Sequence, residues 1–116
     1  MQNHFNKLTN TLALEDLVAR SYCEPVLIFK HSDACGISSR AYSEMATLDR
    51  PIALVTVQTE RAVSTEIERR FGVAHETPQV LILRDGKVVW SASHGQVKAE
   101  AVEAAVLSVP PALAYG

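Results

Sequence analysis

Residues 26–38 read VLIFKHSDACGIS, an apolar run followed by a polar turn, a cysteine and the start of a helical pattern. A continuous apolar run is typical of a strand that is buried on both faces. A thiol placed where a strand passes into a helix faces the helix's unpaired N–H groups and the positive end of its dipole. Because this environment favours the nucleophilic thiolate, Cys35 is the candidate catalytic residue.

Ser38 stands one helical turn after Cys35, where a dithiol oxidoreductase carries its second cysteine. Its hydroxyl can donate a hydrogen bond toward a thiolate, which makes Ser38 the second catalytic candidate. Alternatively, this serine satisfies a backbone N–H group of the first helical turn. The spacing predicts thiol–disulfide chemistry with one sulfur.

The rest of the chain predicts elements in the order α-β-α-β-α-β-β-α. Asp85-Gly86 between the last two strands is a strong hairpin signal. The short helical crossover between the first two strands predicts a parallel pair. We therefore expect a thioredoxin-like α/β fold, with a four-stranded mixed sheet, helices on both faces, and Cys35 at the rim where such sheets place their sites. Helices are expected near residues 14–21, 36–48, 62–71 and 99–107, and strands near residues 26–30, 52–57, 80–83 and 88–90.

Length and charge limit the classes of function. The chain has 116 residues, 47% hydrophobic and 21% charged, with a net charge of −2. We expect one domain, residues 1–116, with residues 110–116 as a loose tail or a contact with a neighbouring subunit. The charge gives no basis for binding nucleic acid or a membrane surface. Without a signal peptide or spanning helix in the pattern, we expect a cytoplasmic protein, either a monomer or a weak dimer.

The second cysteine is not expected to pair with the first. Cys23 and Cys35 lie on either side of a strand whose eight residues would span roughly 26 Å. A disulfide needs Cα atoms within about 7 Å, so an intramolecular bridge is rejected. Cys23 is expected to be a buried small hydrophobic residue. The chain shows no metal-ligand spacing, and a structural zinc is not expected.

Five further residues are candidates for substrate binding. A cation at Lys30 or His31, at the end of the first strand, would lower the thiol pKa or attract an anionic thiol; the alternative is a solvated strand end. Thr77 and Pro78 precede the third strand, where a proline leaves an edge open to a substrate backbone. A cis prolyl bond would fit there, but the sequence does not define the isomer. His94 ends the returning hairpin strand and should reach the same rim, whereas His75 is expected to be a plain loop residue.

Together these residues resemble the monothiol bacilliredoxins, thioredoxin-fold proteins of the bacillithiol system. The resemblance implies a cytoplasmic protein that acts on mixed disulfides between proteins and bacillithiol, an anionic cysteine–glucosamine–malate thiol. It implies that Cys35 attacks the mixed disulfide, that a second thiol releases the adduct, and that bacillithiol is a co-substrate, with no tightly bound cofactor. The matching segments, within residues 14–106, are Phe29-Lys30-His31-Ser32, Cys35 with Ile37-Ser38, Thr77-Pro78-Gln79, and Asp85-Gly86-Lys87-Val88-Val89-Trp90 followed by Ser93-His94.

Two departures from related patterns leave alternatives open. Gly36 stands where bacilliredoxins usually have proline, which makes the motif similar to the Cys-Gly-Phe-Ser of monothiol glutaredoxins, proteins that bridge iron–sulfur clusters with glutathione. The Gly-Gly-Cys-Asp turn of those proteins is replaced here by His94-Gly95-Gln96-Val97. Phe29 occupies the place of the buried acidic residue of thioredoxins. The alternatives are a dimeric [2Fe–2S] binding module and a redox sensor or inert thioredoxin-like protein without turnover.

Overall fold

The computed structural model describes residues 4–34 and 36–109. Cys35 and the tail of residues 110–116 lie outside the described residues, so the expectations for them remain predictions. Within the described ranges, no helix combines the length and the apolar character needed to cross a membrane. The elements are β1 (Phe5–Lys7), α1 (Thr11–Arg20), β2 (Val26–His31), α2 (Gly36–Ala46), β3 (Ile52–Thr56), α3 (Arg61–Phe71), β4 (Gln79–Arg84), β5 (Lys87–Ser93), a single 3-10 turn (His94–Gln96) and α4 (Ala99–Ser108).

The sheet is mixed, in the order β1-β3-β2-β4-β5. β1, β3 and β2 are parallel, while β4 runs antiparallel to both β2 and β5. The predicted thioredoxin-like fold is confirmed, but the sheet has five strands and not four. Strand β1 has three residues, too few to show an alternating pattern. It exists because the chain pairs with β3, with Phe5 opposite Ile52 and the N–H of Leu8 donating to the oxygen of Leu54 at 2.8 Å.

Helices cover both faces of the sheet, as predicted. All six residues of β2 are buried, which explains the continuous apolar run of the first four, residues 26–29. Phe29 belongs to the core cluster under α2 and α4, whereas Ile28 belongs to the cluster under α1 and α3. Because side chains alternate along a strand, His31 lies on the α2 side of the sheet and Lys30 on the α3 side.

The predicted hairpin forms at Asp85 and Gly86, which have φ angles of 57° and 75°. The turn is hydrogen-bonded to Ser21, in the segment after α1. The N–H of Asp85 donates to the backbone oxygen of Ser21 at 2.8 Å, and the N–H of Gly86 donates to its Oγ at 2.9 Å. Ser21 is therefore the fully buried residue of this segment. The expectation that Cys23 is buried is wrong: Cys23 is exposed, because Ser21 takes the inward position.

Candidate functional site

A buried hydrogen-bonded cluster joins the residues on the two sides of Cys35. Ser38, in the first turn of α2, is fully buried. Its Oγ accepts the N–H of Ser32 at 2.9 Å and lies 2.8 Å from Nδ1 of His31. On the other side of the imidazole, Nε2 of His31 lies 3.1 Å from Oδ1 of Asp33. The end of β2, the following loop and the start of α2 are thus linked through one serine hydroxyl.

The partners of His31 define its tautomer. A carboxylate only accepts hydrogen bonds, so the proton of the neutral imidazole is assigned to Nε2, which donates to Asp33. Nδ1 is then an acceptor, and the hydroxyl of Ser38 donates to it. Burial lowers the pKa of His31 below its usual value, and the charge and hydrogen bond of Asp33 offset part of this effect. The neutral form therefore prevails at neutral pH.

The loop between β2 and α2 is braced by Gln58, which the sequence analysis missed. The Gln58 amide donates to Oγ of Ser32 at 2.7 Å, and its oxygen accepts the N–H of Asp33 at 3.2 Å. Gln58 comes shortly after β3, and the ends of β3 and β2 meet at one edge of the sheet. A polar residue directly after the strand next to β2 could therefore have been predicted to lie beside the loop that follows β2.

Lys30 contributes a second polar contact, on the opposite face of the sheet. It is fully buried, and its Nζ donates to Nδ1 of His75 at 2.6 Å. Ser64 of α3 places its Oγ 3.3 Å from the same nitrogen. Burial lowers the pKa of Lys30 to about 8, although the charges of Glu68 and Glu76 act in the other direction.

These contacts exclude one alternative that the sequence left open and correct one expectation. The end of β2 is not solvated, because Lys30 and His31 are both buried. His75 is more than a plain loop residue, since it receives the hydrogen bond of the buried lysine amine. The proposed action of Lys30 and His31 on the Cys35 thiol or on an anionic thiol stays a prediction.

Pro78 and His94 lie together at the same edge of the sheet. The Thr77–Pro78 peptide bond is cis. The oxygen of Pro78 accepts the N–H of His94 at 2.8 Å, and Nε2 of His94 lies 2.9 Å from Oε1 of Glu76. Gln79, directly after Pro78, pairs with Lys30 at the end of β2. The candidate binding residues therefore lie at one rim of the sheet, where β2 ends, β4 begins and β5 ends. Their role in binding stays a prediction.

A family model described as monothiol bacilliredoxin BrxC matches residues 6–102 of the chain. The chain belongs to the monothiol bacilliredoxin family. Among solved structures, the chain is similar to a protein described as a candidate oxidoreductase with a thioredoxin fold: the identity is 28%, the TM-score is 0.79, and the alignment covers 87% of this chain and 92% of that one. This bacilliredoxin is thus a thioredoxin-fold oxidoreductase.

Two thioredoxins show the same fold as this bacilliredoxin at lower sequence identity. The Fasciola hepatica thioredoxin is 15% identical with a TM-score of 0.71, over 88% of this chain and 96% of that one. Mitochondrial thioredoxin 3 of Saccharomyces cerevisiae is 16% identical with a TM-score of 0.70, over 90% and 95% of the two chains. These similarities support the fold alone.

Proposed function

We propose that this bacilliredoxin removes a low-molecular-weight thiol, bacillithiol, from protein mixed disulfides in the cytoplasm, with Cys35 as its nucleophile. The observation that carries the proposal is that Ser38 is buried and hydrogen-bonded. The position of a second, resolving cysteine holds a serine that is fully buried and hydrogen-bonded to both His31 and Ser32. This supports a reaction that uses a single protein sulfur, in agreement with membership of a monothiol family.

The proposed reaction has two exchanges. The Cys35 thiolate attacks the bacillithiol sulfur of the mixed disulfide, a new disulfide forms between Cys35 and bacillithiol, and the substrate protein leaves as a thiolate. A second bacillithiol thiolate then attacks the adduct, which restores Cys35 and yields bacillithiol disulfide. Each exchange forms one S–S bond and breaks one, and the second bacillithiol is the reductant, because it is oxidised to bacillithiol disulfide while the substrate cysteine is reduced to a thiolate. The residues proposed to bind the substrate are His31, Thr77, Pro78 and His94; the expectation that Lys30 also binds it is set aside, because the Lys30 side chain is fully buried against His75.

Intact-mass measurement tests the choice of small thiol. Reduced protein is mixed with equal amounts of bacillithiol disulfide and glutathione disulfide, alongside the variants Cys35→Ser and Cys23→Ser. We expect one bacillithiol adduct, absent in Cys35→Ser and retained in Cys23→Ser. The exposed Cys23 makes the second variant a matched control for indiscriminate thiol reactivity. A glutathione adduct, or none on Cys35, would contradict the proposal and favour the cluster-binding or non-catalytic alternative.

A further inference from the structure

We propose that the groove between β1, the end of β3 and α2 binds the non-sulfur parts of the small thiol, with an ammonium group at Asp33 and carboxylates at Lys7. The inference rests on the proposed function, because its ligand is bacillithiol. The cysteine unit of bacillithiol places an ammonium beside the sulfur, and its malate unit places two carboxylates at the far end. A site for such a ligand needs an anion at one end and a cation at the other.

The floor of this groove follows from the short length of β1. The strand ends at Lys7, opposite Leu54, two residues before β3 ends at Thr56. On its other side Thr56 pairs with His31 of β2. Because paired residues and alternate positions along a strand share a face, these side chains lie on the α2 side of the sheet. The early end of β1 leaves a cavity of about 490 Å³ there, a volume within the range of small-molecule sites.

Helix α2 supplies the opposite wall. Ser39, Tyr42 and Ser43 line the groove, and their spacing of three and four residues puts them on one helix face. The Tyr42 ring is held in place by the rings of Phe5 and His31, at centroid distances of 4.7 and 4.9 Å. The hydroxyl groups of this wall can donate and accept hydrogen bonds. They suit the hydroxyls of the central glucosamine unit.

The two ends of the groove carry opposite charges. Lys7 is exposed, and no ion pair or side-chain hydrogen bond with another described residue engages its ammonium. Oδ1 of Asp33 lies 3.1 Å from Nε2 of His31, which leaves the second carboxylate oxygen for a ligand. Burial lowers the His31 pKa, so a neutral imidazole leaves the Asp33 charge uncancelled at neutral pH. The strands that lead to the two charges are two strand spacings apart, roughly 10 Å.

The position of Asp33 gives the ligand a direction and a selectivity. Asp33 precedes Cys35 by two residues in the sequence, which is why the ammonium beside the sulfur is assigned to Asp33. In glutathione the cysteine nitrogen is part of a peptide bond, so no ammonium stands beside the sulfur. Asp33 would then have no partner on glutathione and would stay near its carboxylates. The groove is therefore expected to favour bacillithiol through a difference in charge pairing.

The experiment uses ligands that bind but cannot exchange disulfides. S-methyl bacillithiol and S-methyl glutathione, whose sulfurs are blocked, are titrated into the full chain by calorimetry and by amide NMR. We expect S-methyl bacillithiol to bind about tenfold more tightly, which corresponds to about 1.4 kcal/mol. Its binding should shift the amide signals of Lys7, Tyr42 and Thr56. Equal affinity for the two ligands, or shifts confined to other parts of the chain, would overturn the inference.

Exposed substitutions test each end of the groove without disturbing the core. Lys7→Gln and Asp33→Asn should each weaken the binding of S-methyl bacillithiol about threefold to tenfold. Asp33→Asn should also remove most of the preference over S-methyl glutathione. An unchanged affinity in both variants, or an unchanged preference in Asp33→Asn, would overturn the assignment of the two ends.

Each variant has a matched control elsewhere on the molecule. Lys87 is an exposed lysine on β5, the other edge strand of the sheet, so Lys87→Gln should leave binding unchanged. Asp49 places Oδ1 3.1 Å from Nε2 of His4, as Asp33 does with His31, and Asp49→Asn should likewise have no effect. Equal losses in the variants and their controls would show attraction by net charge alone and would overturn the groove as the site.

The failure of this inference is distinguishable from the failure of the proposed function. If Cys35 exchanges with bacillithiol disulfide but S-methyl bacillithiol shifts no signal of the groove, the inference fails and the proposed function stands. If S-methyl bacillithiol binds in the groove but no bacillithiol mixed disulfide is reduced, the groove stands as a binding site and the proposed function fails.

Discussion

The amine of Lys30 is fully buried and donates a hydrogen bond of 2.6 Å to Nδ1 of His75, while His31, the next residue of β2, faces the opposite side of the sheet. The end of β2 therefore places one polar side chain on each face of the sheet. His31 connects to the first turn of α2, and Lys30 connects to α3 through His75 and Ser64. The cost of burying an amine is visible in its pKa, which lies near 8.

The first prediction concerns the pH dependence of stability. The Lys30 pKa falls from 10.5 to about 8 on folding, so the unfolded chain binds more protons between these values. The free energy of unfolding should therefore rise with pH across this window, by at most about 3 kcal/mol from this residue. Lys30→Met should remove that rise, whereas Lys98→Met, at an exposed lysine, should keep it. Urea unfolding at pH 7, 8, 9 and 10 measures the difference, and parallel curves for wild type and Lys30→Met would contradict the prediction.

Ser38→Ala should destabilise the fold and should also slow the reaction of the Cys35 thiol. It leaves the N–H of Ser32 and Nδ1 of His31 without the buried hydroxyl, a loss of about 1–3 kcal/mol. Ser43→Ala is the matched control on α2, because the exposed Ser43 only donates to the backbone oxygen of Ser39 at 3.3 Å. Its effect should stay within about 0.5 kcal/mol. Equal midpoints for the two variants in urea unfolding would show that the Ser38 contacts contribute no stability.

Two glycines should respond to alanine in opposite directions. Gly36 begins α2 and has open space where a Cβ would lie, so Gly36→Ala should stabilise the protein by about 0.4–1 kcal/mol. Gly86 has a φ of 75°, and a Cβ there would lie 2.6 Å from the hydroxyl oxygen of Tyr22. Gly86→Ala should lower the melting temperature, and Gly36→Ala should raise it. A shift of the same sign in both variants would contradict this reasoning.

The ion pair between Arg50 and Glu103 should matter only while Glu103 is charged. The Arg50 guanidinium donates to both carboxylate oxygens at 2.8 and 2.7 Å and lowers the Glu103 pKa. A lowered pKa means that the stabilisation is present above the ordinary value and is lost as the pH falls through the folded value. Glu103→Gln should therefore cost less than about 1 kcal/mol at pH 7, because the pair is partly solvated, and nothing near pH 2. Thermal unfolding at the two pH values checks this, and an equal cost at both would argue against an ionic contribution.

The elements that the sequence predicts well are those whose pattern has a direct physical cause. The apolar run of β2 and the Asp85-Gly86 turn were placed correctly because burial on both faces and positive φ angles restrict residue choice. β1 was missed because its three residues carry no periodicity and form a strand only by pairing with β3. The sequence predicts a buried Cys23 because this residue type is usually buried, yet Cys23 is exposed and Ser21, two residues earlier, is buried.

At the site, the sequence identified which residues lie close along the chain but not how they bond. The spacing from Cys35 to Ser38 and the adjacency of His31 were visible, whereas the contact between Ser38 and His31 depends on how α2 packs against β2. His75 follows α3 and sits 45 positions after Lys30, so its contact with the buried amine required the folded arrangement. Local spacing identifies candidates, and tertiary packing determines their partners.

The most direct test of the central claim follows one small thiol from a protein to Cys35. A reporter protein carrying a single bacillithiol mixed disulfide is mixed with equimolar reduced bacilliredoxin, and both intact masses are followed in time with Cys35→Ser and Cys23→Ser in parallel. We predict that the reporter loses bacillithiol, that the bacilliredoxin gains one bacillithiol on Cys35, and that added free bacillithiol restores the reduced enzyme for further turnovers. Retention of bacillithiol on the reporter, or equal transfer by Cys35→Ser, would contradict the account.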